Sequence, residues 1–293
     1  MTTCWVNGVE NAQVPADDRG LQFGDGVFRT CLVWDGRVHE LEMQLDRLHR
    51  DADLLGIRVD SDRLLPEIRT AAEVLGEGVL KIMLTRLQSG RGYRPQWPAD
   101  ARRVLLTAPL AEREAGRWSR GIEVCLLDHP RVQASRISAS KHLNRLVQVL
   151  AQRAVDASAA DEAVLLNEQG RVASGSMSTL FLVDHANALR TPGVGEGALD
   201  GCTRTLVMNQ ANARGVPVRE GEIALDDLAA AQEVFVVNSL VGLWPVREFS
   251  HPDPGTGQIV TRRYDAPGPM TAECVTALAH PLQQRMLAAG DRC

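Results

Sequence analysis

The sequence predicts an α+β fold organised as two domains, and three observations point there. Short apolar runs meet at the hairpin dipeptides Asn7-Gly8 and Asp35-Gly36. Two longer segments, residues 41–55 and 64–75, carry apolar side chains at helical spacing. Strand signals follow one another too often for strict βαβ alternation, which argues against a doubly wound sheet. A chain of 293 residues is long enough for two compact domains. The expected division is a smaller domain over residues 1–112, a polar linker over 113–121 and a larger domain over 122–293.

Residues 4–6 read as a strand that turns at Asn7-Gly8, and residues 20–26 as a glycine-punctuated loop. Residues 27–34 form a strand that returns through Asp35-Gly36 into 37–39. Leu41, Leu45, Leu48, Ala52 and Leu55 define the first helix, stopped at Gly56. The second helix carries Pro66 in its first turn and ends at Gly76. Strands at 79–84 and 103–107 flank a Gly/Pro-rich loop, 89–98.

The second half opens with a strand at 122–127. Leu143, Leu146, Val147, Leu150, Ala151 and Ala154 then predict a helix with Lys141 in its first turns. Strands at 162–166 and 179–183 enclose the turn 167–170, and a helix follows at 203–214. A nearly all-apolar strand at 233–238, a turn-rich stretch at 252–257 and a helix at 271–288 complete the chain.

The formal charge of −5 and the lack of a Lys/Arg block argue against a general nucleic-acid binder. No apolar run approaches membrane-spanning length, and the first residues do not read as a signal peptide. The six cysteines are scattered without a CxxC pair and read as reduced thiols of a cytoplasmic protein. No His/Cys/carboxylate cluster has metal spacing, so no metal is expected. Gly193-Val194-Gly195-Glu196-Gly197-Ala198 loosely matches a dinucleotide turn, but Pro192 precedes it and Asp200-Gly201 separates it from the next helix.

Lysine usage narrows the chemistry. Among 32 basic residues only Lys81 and Lys141 are lysine. Lys81 lies in the apolar run Val79-Leu80-Lys81-Ile82-Met83-Leu84, whereas Lys141 lies in the polar string Ser140-Lys141-His142-Leu143-Asn144-Arg145. An amine can lose its proton, attack a carbonyl and form an imine; a guanidinium cannot. Taken alone, Lys141 reads equally as a surface or carbonyl-capping lysine. Its neighbours along the chain change that. Asp18-Arg19-Gly20-Leu21-Gln22-Phe23-Gly24-Asp25-Gly26 is followed by Leu45-Asp46-Arg47-Leu48 and Gly90-Arg91-Gly92-Tyr93. Then come Lys141-His142-Leu143-Asn144-Arg145, Asp200-Gly201-Cys202-Thr203-Arg204 and Val237-Asn238-Ser239-Leu240.

This ordered series resembles the fold-type-IV pyridoxal-phosphate enzymes, over about residues 5–246. Gly90-Arg91-Gly92-Tyr93 and the Lys141 string look most like the aminodeoxychorismate lyases of that group. The resemblance implies pyridoxal 5'-phosphate as cofactor, joined covalently to Lys141, which also moves the proton. It implies Arg47, Cys202, Thr203 and Ser239 around the phosphate, with residues 201–203 opening a helix whose amides favour an anion. It implies Arg91 and Tyr93 on a substrate with two carboxylates, with Thr30 and Asn144 as further substrate-side candidates. It also implies a homodimer with the cofactor held between two domains.

One position departs from the pattern. Ser174 stands where the family places the Glu that pairs with the pyridine nitrogen, and residues 174–178 contain no carboxylate in any register. A neutral hydroxyl does not strongly favour a protonated ring. That favours elimination, in which electrons depart with a leaving group, over transamination. The resemblance therefore implies a lyase making 4-aminobenzoate and pyruvate. The alternatives are an aminotransferase of D- or branched-chain amino acids and a catalytically altered relative.

Overall fold

The computed structural model describes residues 2–87, 92–253 and 255–290. It divides into two compact units. One holds the chain up to Glu112 together with Ser140–Asn144; the other holds Arg113–Ala139 and everything from Arg145 onward.

The first unit contains β1 (Cys4–Val6), β2 (Val9–Glu10), α1 (Arg19–Phe23), β3 (Gly26–Trp34), β4 (Arg37–Val38), α2 (Leu41–Leu54), β5 (Ile57–Arg58), α3 (Ser61–Leu75), β6 (Gly78–Arg86) and β7 (Ala99–Ala108). Its sheet runs β2-β1-β7-β6-β3-β4, with β5 beside β7. The Asn7-Gly8 turn places both residues at positive φ, as a two-residue hairpin of this twist requires. Alternation along the strands sorts side chains by face. Val27, Cys31, Val33, Leu80, Ile82, Leu84 and Leu105 join Leu48, Ala52, Leu64 and Ile68 in one buried core under α2 and α3. Phe28, Thr30, Lys81, Met83 and Leu106 point the other way, in the register Phe28–Met83, Thr30–Lys81 and Lys81–Leu106.

Residues 20–26 are expected as loop, but Arg19–Phe23 form α1 because Asp18 accepts from the Leu21 amide and Gly24, at φ 64, closes the C-terminus. Buried charge holds this part of the sheet. Asp25 accepts from Arg19 Nε at 2.8 Å and from Arg86 Nε at 2.9 Å. Asp18 pairs with Arg102 and accepts from Thr85 Oγ1 at 2.7 Å. Arg103 meets Glu67 of α3 at 2.7 Å.

The second unit begins with α4 (Gly116–Ser119), so the linker expected over 113–121 is part of this unit. Its anchor is Trp118, 1% exposed, which donates to the Val241 carbonyl at 2.8 Å and packs edge-on to Trp244. There follow β8 (Ile122–Val132), α5 (Leu146–Asp156), β9 (Glu162–Asn167), β10 (Val172–Gly175), β11 (Thr179–Val183), β12 (Leu189–Pro192), α6 (Cys202–Ala213), β13 (Val218–Gly221), α7 (Leu225–Ala230), β14 (Glu233–Asn238), β15 (Gly242–Pro252), β16 (Ile259–Arg263), α8 (Pro269–Leu278) and α9 (Pro281–Gly290). The sheet order is β10-β9-β8-β15-β14-β11-β12-β13, with β16 beside β15.

Parallel pairs (β8–β9, β15–β8, β12–β13) mix with antiparallel ones, as expected for an α+β protein. Phe181 and Phe235 sit opposite each other on β11 and β14 and stack at 5.1 Å. The helix expected over 271–288 is two helices, broken where Ala279 takes φ 46 and Pro281 starts α9. Among the described residues no helix is long and apolar enough to cross a membrane, and no group of His, Cys, Asp or Glu could hold a metal.

Candidate active site

Lys141 is not in the first turn of a helix. The α5 helix starts only at Leu146, and the residues before it are extended against the beginning of β3. The Phe28 amide donates to the Lys141 carbonyl at 2.8 Å, and the Leu143 amide donates to the Gly26 carbonyl at 2.9 Å. The bridge between Val27 and His142 sets the register, so Lys141 lies opposite Phe28 and shares its face. The Lys141 amide donates to Asp51 Oδ2 at 2.9 Å, and the same oxygen accepts from Arg29 Nη2 at 2.5 Å. Both main-chain groups of Lys141 are thus fixed, one by β3 and one by a carboxylate on α2. The amine extends over the Phe28 ring, 4.8 Å from its centroid.

Arg29 and Asp51 were not singled out as a site pair from the sequence. Arg29 alternates with Phe28 and so faces the helices, where Asp51 is its partner. Arg47 lies one turn before Asp51 on the same buried face of α2. Thr30 is on the Phe28 face and half-buried. Asn144 is exposed, and its Nδ2 donates to the Gly24 carbonyl at 3.3 Å. A Cβ at Gly24 would collide with the Asn144 amide, which explains glycine at this point. Tyr93 is 86% exposed and packs on Phe23 at 5.4 Å, while Arg19 donates to the Gly92 carbonyl at 3.0 Å. Arg91 lies outside the described residues.

In the second unit, α6 starts at Cys202 after Gly201, and no side chain caps it. A helix N-terminus is a favourable place for an anion. Thr203 Oγ1 stands 3.5 Å from Ser239 Oγ, which is placed by the turn after β14. Asn238 Oδ1 shapes that turn by accepting from the Leu240 and Val241 amides at 2.9 and 3.0 Å. Two hydroxyls converging at a helix start free of side-chain capping fit a phosphate dianion. Cys202 is 3% exposed and packs at the same start.

Ser174 is on β10 opposite Leu165, half-exposed, and its hydroxyl makes no hydrogen bond among the described residues. A carboxylate does serve the following turn, and sequence reading missed it. Glu162, fully buried at the start of β9, accepts from the Ala163 amide at 2.8 Å, the Ser176 amide at 2.9 Å and Ser178 Oγ at 2.7 Å. Ser176 Oγ donates to it as well. The signal was the donor-rich string Ser174-Gly175-Ser176-Met177-Ser178, which once buried needs an acceptor.

The fold and these residues define a known class: residues 26–249 match the amino-transferase class IV family, and the chain belongs to it. The family depends on pyridoxal 5'-phosphate, and the two hydroxyls at the start of α6 suit the phosphate of that cofactor. Among individual relatives, the aminodeoxychorismate lyase of Vibrio harveyi is 29% identical over 250 residues, covering 85% of this chain and 92% of its own. The D-alanine aminotransferase of Bacillus licheniformis is 27% identical and covers 92% of each chain. The crystal structure of 4-amino-4-deoxychorismate lyase from Pseudomonas aeruginosa superposes with a TM-score of 0.85 at 32% identity, covering 96% of this chain and 99% of that one. A branched-chain aminotransferase from Thermoproteus uzoniensis, 23% identical, shares the fold with a TM-score of 0.79.

Proposed function

We propose that this protein is a pyridoxal-phosphate-dependent lyase that converts 4-amino-4-deoxychorismate to 4-aminobenzoate and pyruvate, a step toward folate, as a cytoplasmic homodimer. The observation that carries the reading is Lys141, whose amide and carbonyl are both fixed so that the amine projects from a rigid stem. The lyase relatives in Vibrio harveyi and Pseudomonas aeruginosa support the choice of reaction. So does Ser174, a neutral group where an aminotransferase gains from a carboxylate, while Glu162 is taken up by the turn it accepts from.

Bound pyridoxal phosphate supplies an aldehyde for an amine and a conjugated ring that withdraws electrons. Of this chain's residues, Lys141 would hold the aldehyde carbon, and Arg47, Thr203 and Ser239 the phosphate. Ser174 would approach the ring nitrogen. Arg91, Tyr93, Thr30 and Asn144 would meet the substrate. Once the substrate's amine has replaced it on the aldehyde carbon, Lys141 Nζ is a free amine and would take the proton from the substrate carbon that bears nitrogen. The C–O bond to the enolpyruvyl arm breaks with its electron pair, and the substrate ring becomes aromatic. The same Nζ, or a water it orients, returns a proton that makes pyruvate of the departing enolpyruvate. Atoms balance without an oxidant or a second substrate.

The test is pyruvate release from 4-amino-4-deoxychorismate, coupled to lactate dehydrogenase. Turnover is expected in the wild type. Lys141→Ala should abolish both turnover and borohydride-stable attachment of the cofactor; turnover retained in that variant would refute the mechanism. The aminotransferase relatives favour a second reading. It requires release of a 2-oxo acid from an amino-acid donor with no pyruvate from aminodeoxychorismate.

A further inference from the structure

The last two helices of the second unit reach back to the turn that carries Ser239. The family match ends at residue 249, whereas α8 and α9 span Pro269–Leu278 and Pro281–Gly290. Between them Ala279 takes φ 46, and the break leaves His280 buried, 3% exposed. His280 Nε2 donates to the Ser239 carbonyl at 3.3 Å. Its Nδ1 accepts from the Gln283 amide at 3.4 Å, as an N-cap side chain does in the first turn of a helix. A carbonyl only accepts and an amide only donates, so the ring is the neutral tautomer with its proton on Nε2.

Gln283, buried one turn further on, holds the strand that leaves the same turn. Its Oε1 accepts from the Leu243 amide at 3.2 Å and its Nε2 donates to the Leu243 carbonyl at 3.0 Å, the two bonds a neighbouring strand would supply. A Cβ on Gly242, at φ 71, would lie 2.5 Å from Gln283 Oε1 and 2.9 Å from His280 Cγ, so glycine lets both side chains approach this closely. Trp118 holds the Val241 carbonyl, and Asn238 Oδ1 holds the Leu240 and Val241 amides. The turn is thus tied at Ser239, Leu240, Val241 and Leu243. Leucine at 280 and 283 would fill the space with no polar group to bury; what the two polar side chains add is the placement of the turn.

We propose that His280 and Gln283 are positioning residues for the cofactor phosphate. They act through Ser239: with its carbonyl tied to α9, Ser239 Oγ is kept 3.5 Å from Thr203 Oγ1 at the start of α6. A hydroxyl whose main chain is tethered loses less freedom when an anion binds, and so binds it more tightly. The C-terminal helices thereby favour a phosphorylated cofactor over an unphosphorylated one. The inference rests on the reading that Ser239 meets the phosphate, and the experiment separates the two.

The apoprotein is titrated with pyridoxal 5'-phosphate and with pyridoxal, which lacks the phosphate, and attachment is followed by absorbance. His280→Asn keeps an acceptor for the Gln283 amide but is too short to reach the Ser239 carbonyl, whereas His280→Gln reaches it with an amide donor. His280→Asn should weaken pyridoxal 5'-phosphate about tenfold and pyridoxal less than about twofold. His280→Gln should recover most of the loss. The phosphorus NMR resonance of the bound cofactor should move in the Asn variant and return in the Gln variant. Unchanged affinity for pyridoxal 5'-phosphate in His280→Asn, or an equal loss of both compounds, overturns the proposal. A second measurement needs no variant: in the wild type, pyridoxal 5'-phosphate should slow amide exchange at Leu243 and Gln283 more than pyridoxal does, and equal protection by the two overturns it as well. Ser239→Ala separates the claims. A variant that keeps the wild-type preference for the phosphorylated compound sinks the placement of the phosphate at Ser239, and the inference with it. Loss of that preference in Ser239→Ala while His280→Asn retains it sinks the role of His280 alone.

Discussion

The most buried carboxylates of the two units meet different partners. In the first, Asp18, Asp25, Asp51 and Glu67 face arginines. In the second, the buried Glu162 and Glu233 face neutral donors. Glu162 gathers the turn 176–178, and Glu233 caps α8 by accepting from the Met270 and Thr271 amides at 3.0 and 2.8 Å. Arginine pairs fix loops and strands that present cations, as Asp51 does for Lys141. Carboxylates on amides and hydroxyls fix a turn and a helix start, 176–178 by Glu162 and α8 by Glu233. The second unit holds ion pairs too, Arg171–Glu196 and Arg204–Glu220 among them, so the contrast lies in the most buried carboxylates: Asp18 and Asp51 pair with arginine, Glu162 and Glu233 with neutral donors.

The sharpest way to break this contrast is Asp25→Asn. It leaves Arg19 and Arg86, both nearly buried, facing a neutral amide. Removing one partner of a buried pair costs about 3–5 kcal/mol, to be read as a lower urea midpoint with unchanged slope. The same residue gives a pH signature. Burial pushes the Asp25 carboxyl up, but the hydrogen bonds and charges of Arg86 and Arg19 bring it below its ordinary value. Its contribution is complete above the unfolded value of about 3.9 and fades as pH falls through the lower folded value. Wild type should lose this contribution on acidification, and Asp25→Asn should lack it. Parallel acid limbs would count against the ion-pair account.

Glu162→Gln should cost less, about 1–3 kcal/mol, because neutral donors lose only part of their acceptor. Amide exchange at Ser176 and Met177 should quicken selectively. A cost equal to that of Asp25→Asn would erase the distinction between carboxylates paired with arginine and carboxylates paired with neutral donors. The smallest effect is expected at Ser239→Ala. Cofactor affinity, followed by its fluorescence on dialysis, should fall about tenfold, or about 1.4 kcal/mol, while the apoprotein melts as before.

Periodicity made much of this readable. The α2 and α3 helices and the β14 strand match their apolar spacing because each has one buried face. The Thr203 and Ser239 hydroxyls meet at the expected helix start. The stretch around Lys141 misled because Leu143, Leu146, Val147 and Leu150 have helical spacing, yet the amide of Lys141 is claimed by Asp51 and its carbonyl by Phe28. Such long-range competition is invisible to a local pattern. Trp118 sits in a polar string that reads as linker, and only its contact with Val241 and Trp244 reveals its place.

The mooring of Lys141 constrains how this chain can be cut or lengthened. The five residues around it are encoded in the middle of the second unit's sequence yet hydrogen-bond to Gly26, Phe28 and Asp51. A fragment beginning at Arg113 would carry Lys141 and lose the anchors that hold its main chain. A one-residue register slip against β3 would turn the amine toward the helices, so evolution can lengthen the approach to Ser140 only where that pairing is preserved.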